Sequence, residues 1–575
     1  MKSHKYISAV LLIVSVLFLN ILIGFNNWNI DLTSDKKHSF AKESITIINN
    51  LEDKLFIRVY LEGDFPAEFK KLQKSIEDLI KRFKLIGNKN IDFEFINPNN
   101  VANENEKLAL FKQLVKLKLS PTDLEIKKEG KQVNQIIFPG AIIYYKEKQV
   151  AVNFLKQSPG KSTVSNINTS IQALEYEFVS AIEHLTKNNL TKIAFLEGNG
   201  ELNEQQVYDI TESVLKDNFN LSYHYKVDRF NIKEFSIDSA TNLPDLSRQT
   251  ILLNTYKAII IAKPTIPFNN LDKLLIDQYI MQGGKVLWLI DGIKASMDSL
   301  KNKSGSFIAT KNNLNIDDQL LSYGVRVNSN LIQDLRSTKI PIITGYSNSK
   351  PQQSYFSWPY SALLVSDSKH VISNGLDGIK CEFVSSIDTI KNNIQKTILL
   401  HSSKESRLNP SPSKISLGIL ETPPLSTSYN KKFLPIAILL EGEFESVFKN
   451  KLFQKNKQIK FISKSVITKM IVISDGDMIA NQLSKSGAIY PLGYDENLKF
   501  TFDGNKHFLI NAVQYLCGDN SLSHIKEKEL SLRMLNKKKI QENRFIIQMI
   551  NIALPILLLL LFALFFISYK KRKYA

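Results

Sequence analysis

Cysteine is nearly absent from this chain. Its 575 residues include only Cys381 and Cys517. Two isolated thiols exclude a C-x-x-C redox motif and a multi-cysteine zinc site, because both need closely spaced cysteines. One disulfide is chemically permitted outside the cytoplasm, although the wide sequence separation of the two residues says nothing about their geometry.

Histidine-based metal motifs and a complete nucleotide motif are also missing. The eight histidines show no H-x-x-x-H or H-x-H spacing. The stretch SPGKST, Ser158–Thr163, resembles the end of a phosphate-binding loop, but Leu155 replaces the first glycine of the G-x-x-x-x-G-K-[ST] motif. Asp291 ends the strand-like run VLWLID and resembles an acidic residue that assists magnesium. Because the two fragments fall in different predicted domains, we expect no nucleotide site.

One loop offers two carboxylates. Asp475 and Asp477, in SDGDMIANQ, carry oxygen ligands of the kind that hard cations prefer. Two carboxylates on one loop are too few to predict a metal site. We therefore interpret the stretch as a strand-terminating turn in which Asp477 caps a helix, and we expect neither a metal nor a cofactor.

Two long apolar runs stand apart from the rest of the chain. Ile7–Phe25 and Phe545–Ile567 contain no charged residue, and each is long enough to cross a bilayer as a helix. No small-residue cleavage site follows the first run, which favours an uncleaved anchor over a signal peptide. The second run contains Pro555, which membrane helices tolerate.

Basic residues predict the orientation of the two runs. Lys570–Lys573 follow the second run as a cytoplasmic stop. Both termini are therefore expected in the cytoplasm, with residues 26–544 outside it. Lys537–Lys539 and Arg544 lie on the other side of the second run, so the charge rule alone does not settle the topology. Three polar residues within the runs could hydrogen-bond across a helix interface: Asn20, Gln548 and Asn551.

The net charge is +18, from 74 Lys and Arg against 56 Asp and Glu. The lysines are spread along the chain, with no arginine-rich stripe and no nucleic-acid-binding motif. This pattern indicates a solvated lysine-rich surface, and we expect no nucleic-acid partner. Attraction to an anionic membrane surface is a reasonable secondary effect.

The residues between the two runs predict two α/β domains. Over roughly 40–185 the order β-α-β-α-β-β-α suggests a thioredoxin-like domain, in which EGDFPAEF stands where a redox-active protein carries cysteines. From Lys192 onward, strands such as YKAIIIAKP and KVLWLIDG alternate with helices, which predicts a Rossmann-like, glutamine-amidotransferase-like parallel sheet. FLPIAILLEG and KMIVISDGD are expected to extend that sheet. SKESRLNPSPSKIS is expected to form an exposed loop.

The turn in LEGNGELNEQQ, residues 196–206, is the strongest candidate site. Glu197 and Glu201 could act as an acid/base pair, and Asn199 with nearby backbone N–H groups could hold an anion. However, two glutamates oppose an anion, and no serine or cysteine nucleophile lies nearby. We interpret the stretch as a structural turn first, as a ligand or partner contact through Glu197, Asn199 and Glu201 second, and as a catalytic site last.

Several segments together resemble one known family. They include NIDLTSDKKHSF after the first run, VYLEGDFPAEFKKLQ at 59–73, a turn that matches a G-H-G-E pattern with Asn199 in place of histidine, and the later stretches LLSYGVRVNSNLIQD, VISNGLDGI, VISDGDMIANQ and FLINAVQYLCGD. In these segments the chain resembles the gliding-motility-associated ABC transporter family GldG of Bacteroidetes-type bacteria.

The resemblance implies a non-catalytic accessory or substrate-binding-like subunit. It would lie in the inner membrane, beside a separate permease and a separate cytoplasmic ATPase, with a large periplasmic region. The sequence also allows two other functions. One is a structural component of a periplasmic motility or secretion machine. The other is a periplasmic hydrolase, although no nucleophile elbow is visible in the sequence.

The predicted segments follow one another along the whole chain. They are a cytoplasmic N-terminus (1–6), a transmembrane helix (7–25), a thioredoxin-like extracytoplasmic domain (26–190), a Rossmann-like transporter-auxiliary domain (191–525), a juxtamembrane basic helix (526–544), a transmembrane helix (545–567) and a cytoplasmic basic tail (568–575).

Overall fold

The structure is a computed structural model, and it falls into two compact units, Met1–Glu529 and Leu530–Ala575. The first predicted apolar run, Ile7–Phe25, and its Asn20 lie outside the described residues. The described residues are 39–87, 90–101, 103–128, 131–155, 162–186, 190–215, 225–237, 244–347, 350–364, 366, 368, 370–374, 376, 378–450, 460–484, 486–518 and 543–574.

The N-terminal part of the first unit contains six strands and four helices. In chain order they are α1 (Lys42–Asn49), β1 (Leu55–Val59), α2 (Ala67–Ile86), β2 (Ile91–Phe95), α3 (Glu104–Lys116), β3 (Thr122–Lys128), β4 (Lys131–Ile137), β5 (Gly140–Tyr145), β6 (Lys148–Asn153) and α4 (Thr163–Thr186).

These elements form a four-stranded sheet in the order β2-β1-β5-β6. β1 and β2 are parallel, whereas β5 is antiparallel to both β1 and β6. Helix α2 forms where the apolar side chains recur at helical spacing, and Phe69, Leu72, Ile76 and Phe83 from that stripe are buried. The hairpin β3–β4 is an addition to the predicted element order.

The remaining part of the first unit is larger. Its α-helices are α5 (Leu246–Leu253), α6 (Asn270–Met281), α7 (Asp317–Tyr323) and α8 (Asp503–Cys517), and a short π-helix covers Asp209–Leu215. Its strands are β7 (Thr191–Glu197), β8 (Tyr225–Asn231), β9 (Ala258–Ala262), β10 (Lys285–Leu289), β11 (Ile293–Lys294), β12 (Ser306–Lys311), β13 (Val325–Val327), β14 (Asn330–Asp334), β15 (Ser337–Ser347), β16 (Lys350–Leu364), β17 (Ile379–Lys380), β18 (Ile387–Thr389), β19 (Gln395–His401), β20 (Ser406–Pro410), β21 (Ser413–Ser416), β22 (Pro435–Gly442), β23 (Thr468–Ile473), β24 (Tyr494–Asp495) and β25 (Phe500–Thr501).

A seven-stranded sheet organises this region, in the order β19-β22-β23-β10-β9-β7-β8. The five strands from β23 to β8 are parallel, but β22 is antiparallel to both of its neighbours. The expectation of a parallel sheet is therefore wrong at one edge. A run such as PIAILLEG predicts burial on both faces, but its apolar pattern carries no information about strand direction.

Helix α6 shows how sequence signals set an element's ends. Asn269 and Asp272 form a reciprocal capping box at its start. At its end Gly283 has φ +91° and Gly284 donates its N–H to Tyr279 O at 2.9 Å, so the glycine pair ends the helix.

Between β10 and β22, the strands other than β19 build small antiparallel sheets beside the main sheet. β12 pairs with β21, and β14 pairs with β20. The stretch SKESRLNPSPSKIS, predicted as an exposed loop, thus contributes two strands. Its polar, proline-containing composition is typical of loops, but β20 and β21 find their pairing partners from distant parts of the chain.

The second unit contains helix α9 (Arg544–Tyr574). Within it, Gln548–Lys570 has a mean hydropathy of 2.9, and it is the one helix among the described residues that is long and apolar enough to cross a membrane. Pro555 lies inside this helix. The second predicted span is thus a helix of membrane-spanning length.

Candidate functional site

The candidate site lies where the parallel strands of the main sheet end. The chain first runs from β7 to its neighbour β8 and then returns to β9 on the other side of β7. In open α/β sheets, ligands bind outside the carboxyl ends of the strands at such a reversal of strand order. A cavity of about 380 Å³ opens at this edge.

The cavity is lined mainly by polar and charged side chains. None of the described lining residues is a serine, cysteine or histidine. They are Gly200, Glu201, Leu202, Gln206, Lys263, Thr265, Lys380, Glu382, Asp475, Asp477, Met478, Ala480, Asn481, Gln482, Gly493, Tyr494 and Asn505.

Three aspartates converge at the ends of β10 and β23. Each of Asp291, Asp475 and Asp477 has a carboxylate oxygen within 4.8 Å of the others. The reason is the register: Leu289 of β10 lies opposite Ile473 of β23, so the residues that follow the two strands meet. The sequence separated Asp291 from the other two, and the fold brings all three together.

Asp475 holds the turn after β23. Its Oδ1 accepts hydrogen bonds from the backbone N–H groups of Asp477 (2.8 Å) and Met478 (3.1 Å), and its Oδ2 accepts one from Glu382 N at 2.9 Å. The expected cap by Asp477 is therefore wrong, because Asp475 takes that role. Asp477 instead points its carboxylate to a lysine.

That lysine is Lys263, which directly follows β9. Its ammonium lies 2.5 Å from Asp477 Oδ1 and 3.7 Å from Asp291 Oδ2. Lys263 has φ +51°, a left-handed conformation that non-glycine residues rarely adopt. Its backbone N–H donates to Leu289 O at 2.9 Å.

The charges at this cluster are strongly coupled. Burial alone would lower the pKa of Lys263, but attraction to Asp477 and Asp291 outweighs it, so that pKa is raised. Burial, together with repulsion from Asp477, raises the pKa of Asp291 to about 6 although Lys263 opposes the shift. Burial also raises the pKa of Asp475 well above its usual value.

Among the described residues, these three aspartates form the one group of side chains that could hold a metal ion. A hard cation such as Ca²⁺ takes six to eight oxygen ligands. Here the ammonium of Lys263 already supplies a positive charge to two of the three carboxylates. The three carboxylates are therefore better suited to pair with the ammonium of Lys263 than to bind a divalent cation.

A second largely buried lysine, Lys380, also lines the cavity. Lys380 Nζ is 2.7 Å from Glu382 Oε1 and 2.8 Å from Asp495 Oδ2. Burial lowers the pKa of Lys380, but the two carboxylates outweigh this effect and raise it overall. The cavity thus carries two lysines, each held by two carboxylates.

The turn at 198–201 joins the ends of β7 and β9. Asn199 O accepts hydrogen bonds from the backbone N–H groups of Thr265 (3.0 Å) and Ile266 (2.9 Å). Gly200 has φ +70°, and a Cβ at this position would collide with Thr265 Oγ1. Only glycine adopts this backbone conformation freely, so the turn requires glycine at position 200.

The three predicted contact residues of this turn lie in different surroundings. Glu201 lines the cavity, and its Oε2 accepts from Asn199 N at 2.7 Å; burial raises the pKa of Glu201. Asn199 is fully buried. Glu197 forms an ion pair with Arg229, and neither Glu197 nor Asn199 belongs to the cavity lining.

Sequence reasoning missed Lys263, Lys380, Glu382 and Asp495. Lys263 follows a predicted strand directly, so the convergence of parallel strand ends could have found it. The other three come from the region of short strands, where the sequence carries no comparable signal. Of the predicted membrane-packing residues, Gln548 and Asn551 lie in α9.

Comparison with known proteins identifies the family. A sequence model described as an ABC-type uncharacterized transport system matches residues 190–512, more than half of the chain. The chain belongs to this family. The match includes all seven strands of the main sheet and every residue that lines the cavity. A second model, a domain of unknown function (DUF7088), matches residues 34–144.

Other comparisons add little. No curated protein matches the chain. Among solved structures, the N-terminal domain of mmIFT52 is 14% identical, with 57% of this chain and 97% of that chain covered and a TM-score of 0.29. A putative ThuA-like protein from Bacteroides uniformis is 11% identical, with 57% and 91% covered and a TM-score of 0.23. At these TM-scores the likeness decides nothing about this chain.

The family places the chain in ABC transport as an accessory component. Such a system implies partner transporter components in general. The apolar helix α9 is consistent with membrane anchoring.

Proposed function

We propose that this protein is a non-catalytic, membrane-anchored accessory subunit of an ABC transporter complex of the GldG kind, associated with gliding motility. It works beside a separate permease and a separate cytoplasmic ATPase. The observation that carries this proposal is the family match over 190–512, because it includes both the main sheet and its cavity. The resemblance to GldG along the whole chain supplies the finer assignment.

The proposed anchoring uses two membrane helices. One is α9, whose span Gln548–Lys570 has the required length; the other is the apolar run Ile7–Phe25. With basic residues at both ends of the chain, this arrangement gives cytoplasmic termini and a large periplasmic region. The protein is then a two-pass protein of the inner membrane.

Two periplasmic domains form part of the same proposal. The strand order β2-β1-β5-β6, with one parallel and two antiparallel pairs, supports a thioredoxin-like domain over 26–190. Five parallel strands with a reversal of strand order beside β7 support a Rossmann-like, amidotransferase-like domain over 191–525. Cys381, beside Asp475, is buried, and burial raises the pKa of its thiol.

The chemistry of the cavity supports a binding or structural role. Acyl or glycosyl hydrolysis needs a nucleophile with an adjacent base, or a free acid/base pair. The described lining residues include no serine, cysteine or histidine, and the lysines are held in ion pairs with carboxylates. The raised pKa of the Cys381 thiol keeps it protonated, and a thiol is a poor nucleophile in that form.

A pull-down of the full-length protein from its native membrane tests the proposal. We expect a multi-span permease and an ATPase to be recovered with it. Replacing Asn20, Gln548 and Asn551 together by leucine should lower the recovery of the permease without preventing membrane insertion, because interhelical hydrogen bonds contribute only about 1 kcal/mol each. Val164→Leu, on an exposed side chain of α4, is the matched control.

Two outcomes would contradict parts of this account. If the wild-type protein never recovers a permease, the structural component of a motility machine becomes the better account. If the permease is recovered equally well with the triple variant, the periplasmic domains rather than the membrane helices carry the docking.

A further inference from the structure

The edge of the main sheet opposite the cavity carries a row of lysines. Every one of the five parallel strands has a lysine at its amino-terminal end. The five residues are Lys192 in β7, Lys226 in β8, Lys257 immediately before β9, Lys285 in β10 and Lys469 in β23. We call this set the lysine edge.

The strand register places Lys192, Lys226 and Lys257 side by side on one face of the sheet, and Lys285 beside Lys469 on the other face. Lys192 pairs with Lys226 across β7 and β8, and Lys257 N donates to Lys192 O at 2.8 Å. Burial lowers the pKa of Lys285, and repulsion from Lys257 and Lys469 lowers it further. This repulsion shows that the lysines of the two faces lie close enough at the strand ends to form one basic edge.

The row is not neutralised by ion pairs. Within the part of the chain that the structure describes, none of the five ammonium groups lies within 4.0 Å of a carboxylate. Lys192, Lys226 and Lys257 are exposed. The nearest acidic group at the β23 end, Glu441, accepts the Tyr515 hydroxyl at 2.8 Å, and the ring of Tyr515 lies 3.9 Å from Lys469 Nζ.

Exposed apolar side chains lie next to the lysines. Val466 and Ile467, just before β23, are 60% and 80% exposed, and Ile251 in the last turn of α5 is 64% exposed. Two hydrogen bonds join these turns: Asn254 Nδ2 to Gln282 Oε1 at 2.8 Å and Thr468 Oγ1 to Gly283 O at 3.0 Å. The lysine edge is therefore basic and apolar at once, the composition of surfaces that bind at the lipid–water interface.

The path of the chain points to the same partner. Helix α8 ends at Cys517, which interacts electrostatically with both Lys285 and Lys469, so the chain leaves the sheet domain at the lysine edge. Residues 519–543 then lead to α9, whose apolar span begins at Gln548. At up to about 3.5 Å per residue, this length of chain allows the edge to reach the bilayer that would hold α9.

We propose that the lysine edge docks onto the anionic headgroups of the membrane in which α9 is anchored, with Val466 and Ile467 inserted between them. The inference rests on the membrane anchoring of the proposed function. Docking at this edge leaves the cavity, at the opposite end of the parallel strands, directed away from the bilayer and open to the periplasm.

The test uses the full-length protein in lipid nanodiscs. Ile467→Cys is labelled with an environment-sensitive fluorophore, since Cys381 and Cys517 are buried. The discs contain phosphatidylcholine alone or phosphatidylcholine with phosphatidylglycerol. We expect a blue-shifted, brighter emission in the anionic discs only, and we expect high salt to reverse it, because salt shortens the screening length. Leu425→Cys, 77% exposed between β21 and β22, is the control position and should show no change.

Charge removal makes the test specific to the lysines. Lys192→Gln, Lys226→Gln and Lys257→Gln change only exposed side chains, so folding should be kept. One lysine near an anionic surface is worth about fivefold in binding, so the triple variant should weaken docking roughly 100-fold. The matched control removes three other exposed lysines, Lys303, Lys404 and Lys432, and should leave the emission unchanged.

Several results would overturn the proposal. They are an emission that is equal in the two kinds of disc, an equal loss in the two triple variants, and a shift that appears only when a permease is reconstituted together with the protein. Failure of the wild-type protein to elute with the discs would instead contradict the membrane anchoring itself. The two failures are therefore distinguishable.

Discussion

The ammonium of Lys263 lies 2.5 Å from the carboxylate of Asp477, although the two residues are separated by 214 positions in the sequence. Lys263 directly follows β9, and Asp477 lies in the turn after β23. Asp291, just after the strand between them, completes the cluster. One lysine thus compensates the charge of aspartates from two strands.

Lys263→Ala should destabilise the protein by about 2–4 kcal/mol, because it leaves partly buried carboxylates without their counter-charge. Urea denaturation of the full-length protein in detergent measures the change. Lys301→Ala, which breaks an exposed pair with Asp298, should cost less than about 0.5 kcal/mol. Divalent cations should raise the melting temperature of Lys263→Ala but not that of the wild type. An equal response of the two proteins would contradict the role given to Lys263.

Asp291 makes stability depend on pH. Its pKa in the folded protein is about 6, against 3.8 for the ordinary carboxyl. Between about pH 4 and 6 the folded protein therefore binds more protons at this site than the unfolded chain, so stability decreases as the pH rises through this window. Across this window the free energy of unfolding decreases by at most about 3 kcal/mol.

Asp291→Asn removes this titration and keeps an oxygen that can accept the hydrogen bond from Gly476 N. The variant should gain stability relative to the wild type between pH 4 and pH 7, measured by urea denaturation at each pH. Asp298→Asn, at an exposed carboxylate, is the control. A stability difference that is constant with pH for Asp291→Asn would show that this carboxyl titrates normally.

Gly200→Ala should be much more harmful than Gly487→Ala. Both glycines have positive φ, but a Cβ at Gly200 meets Thr265 Oγ1, whereas a Cβ at Gly487 meets nothing within 4 Å. Backbone strain alone costs roughly 1–2 kcal/mol in this region, and the collision adds to it at Gly200. Thermal denaturation of both variants checks the difference. Similar losses would mean that the turn relaxes and does not lock β7 to β9.

Protease treatment of intact spheroplasts tests the topology. With two membrane helices and cytoplasmic termini, added protease should digest residues 26–544 and spare tags at either end. Lysed spheroplasts, in which all regions are accessible, provide the control. Protection of the central region together with cleavage of the terminal tags would reverse the proposed orientation.

The spacing of apolar residues along the sequence predicted the alternating strands and helices of the main sheet. It did not predict that one edge of this sheet is antiparallel. Strands such as those in YKAIIIAKP and KVLWLIDG were readable because their apolar runs are local signals. The antiparallel direction of β22 and the pairing of β20 and β21 were not, because direction and partner are set by distant segments. The polar composition of 403–416 favoured a loop for the same reason.

The sequence predicted only some of the residues that line the candidate site. Asp291, Asp475 and the turn at 198–201 each follow a predicted strand, so the parallel arrangement alone could have brought them to one edge. Lys380 and Asp495 come from segments with no such signal, and their pairing depends on the packing of the small sheets. The turn at 198–201 contributes Gly200 and Glu201 to the wall of the cavity.

Native mass spectrometry of the complex released from its own membrane tests the central claim most directly. The account predicts an assembly in which this chain is present together with a multi-span permease and an ATPase that carries a complete phosphate-binding loop. Detection of this chain only alone, or only with copies of itself, under conditions that keep other membrane complexes intact would contradict it.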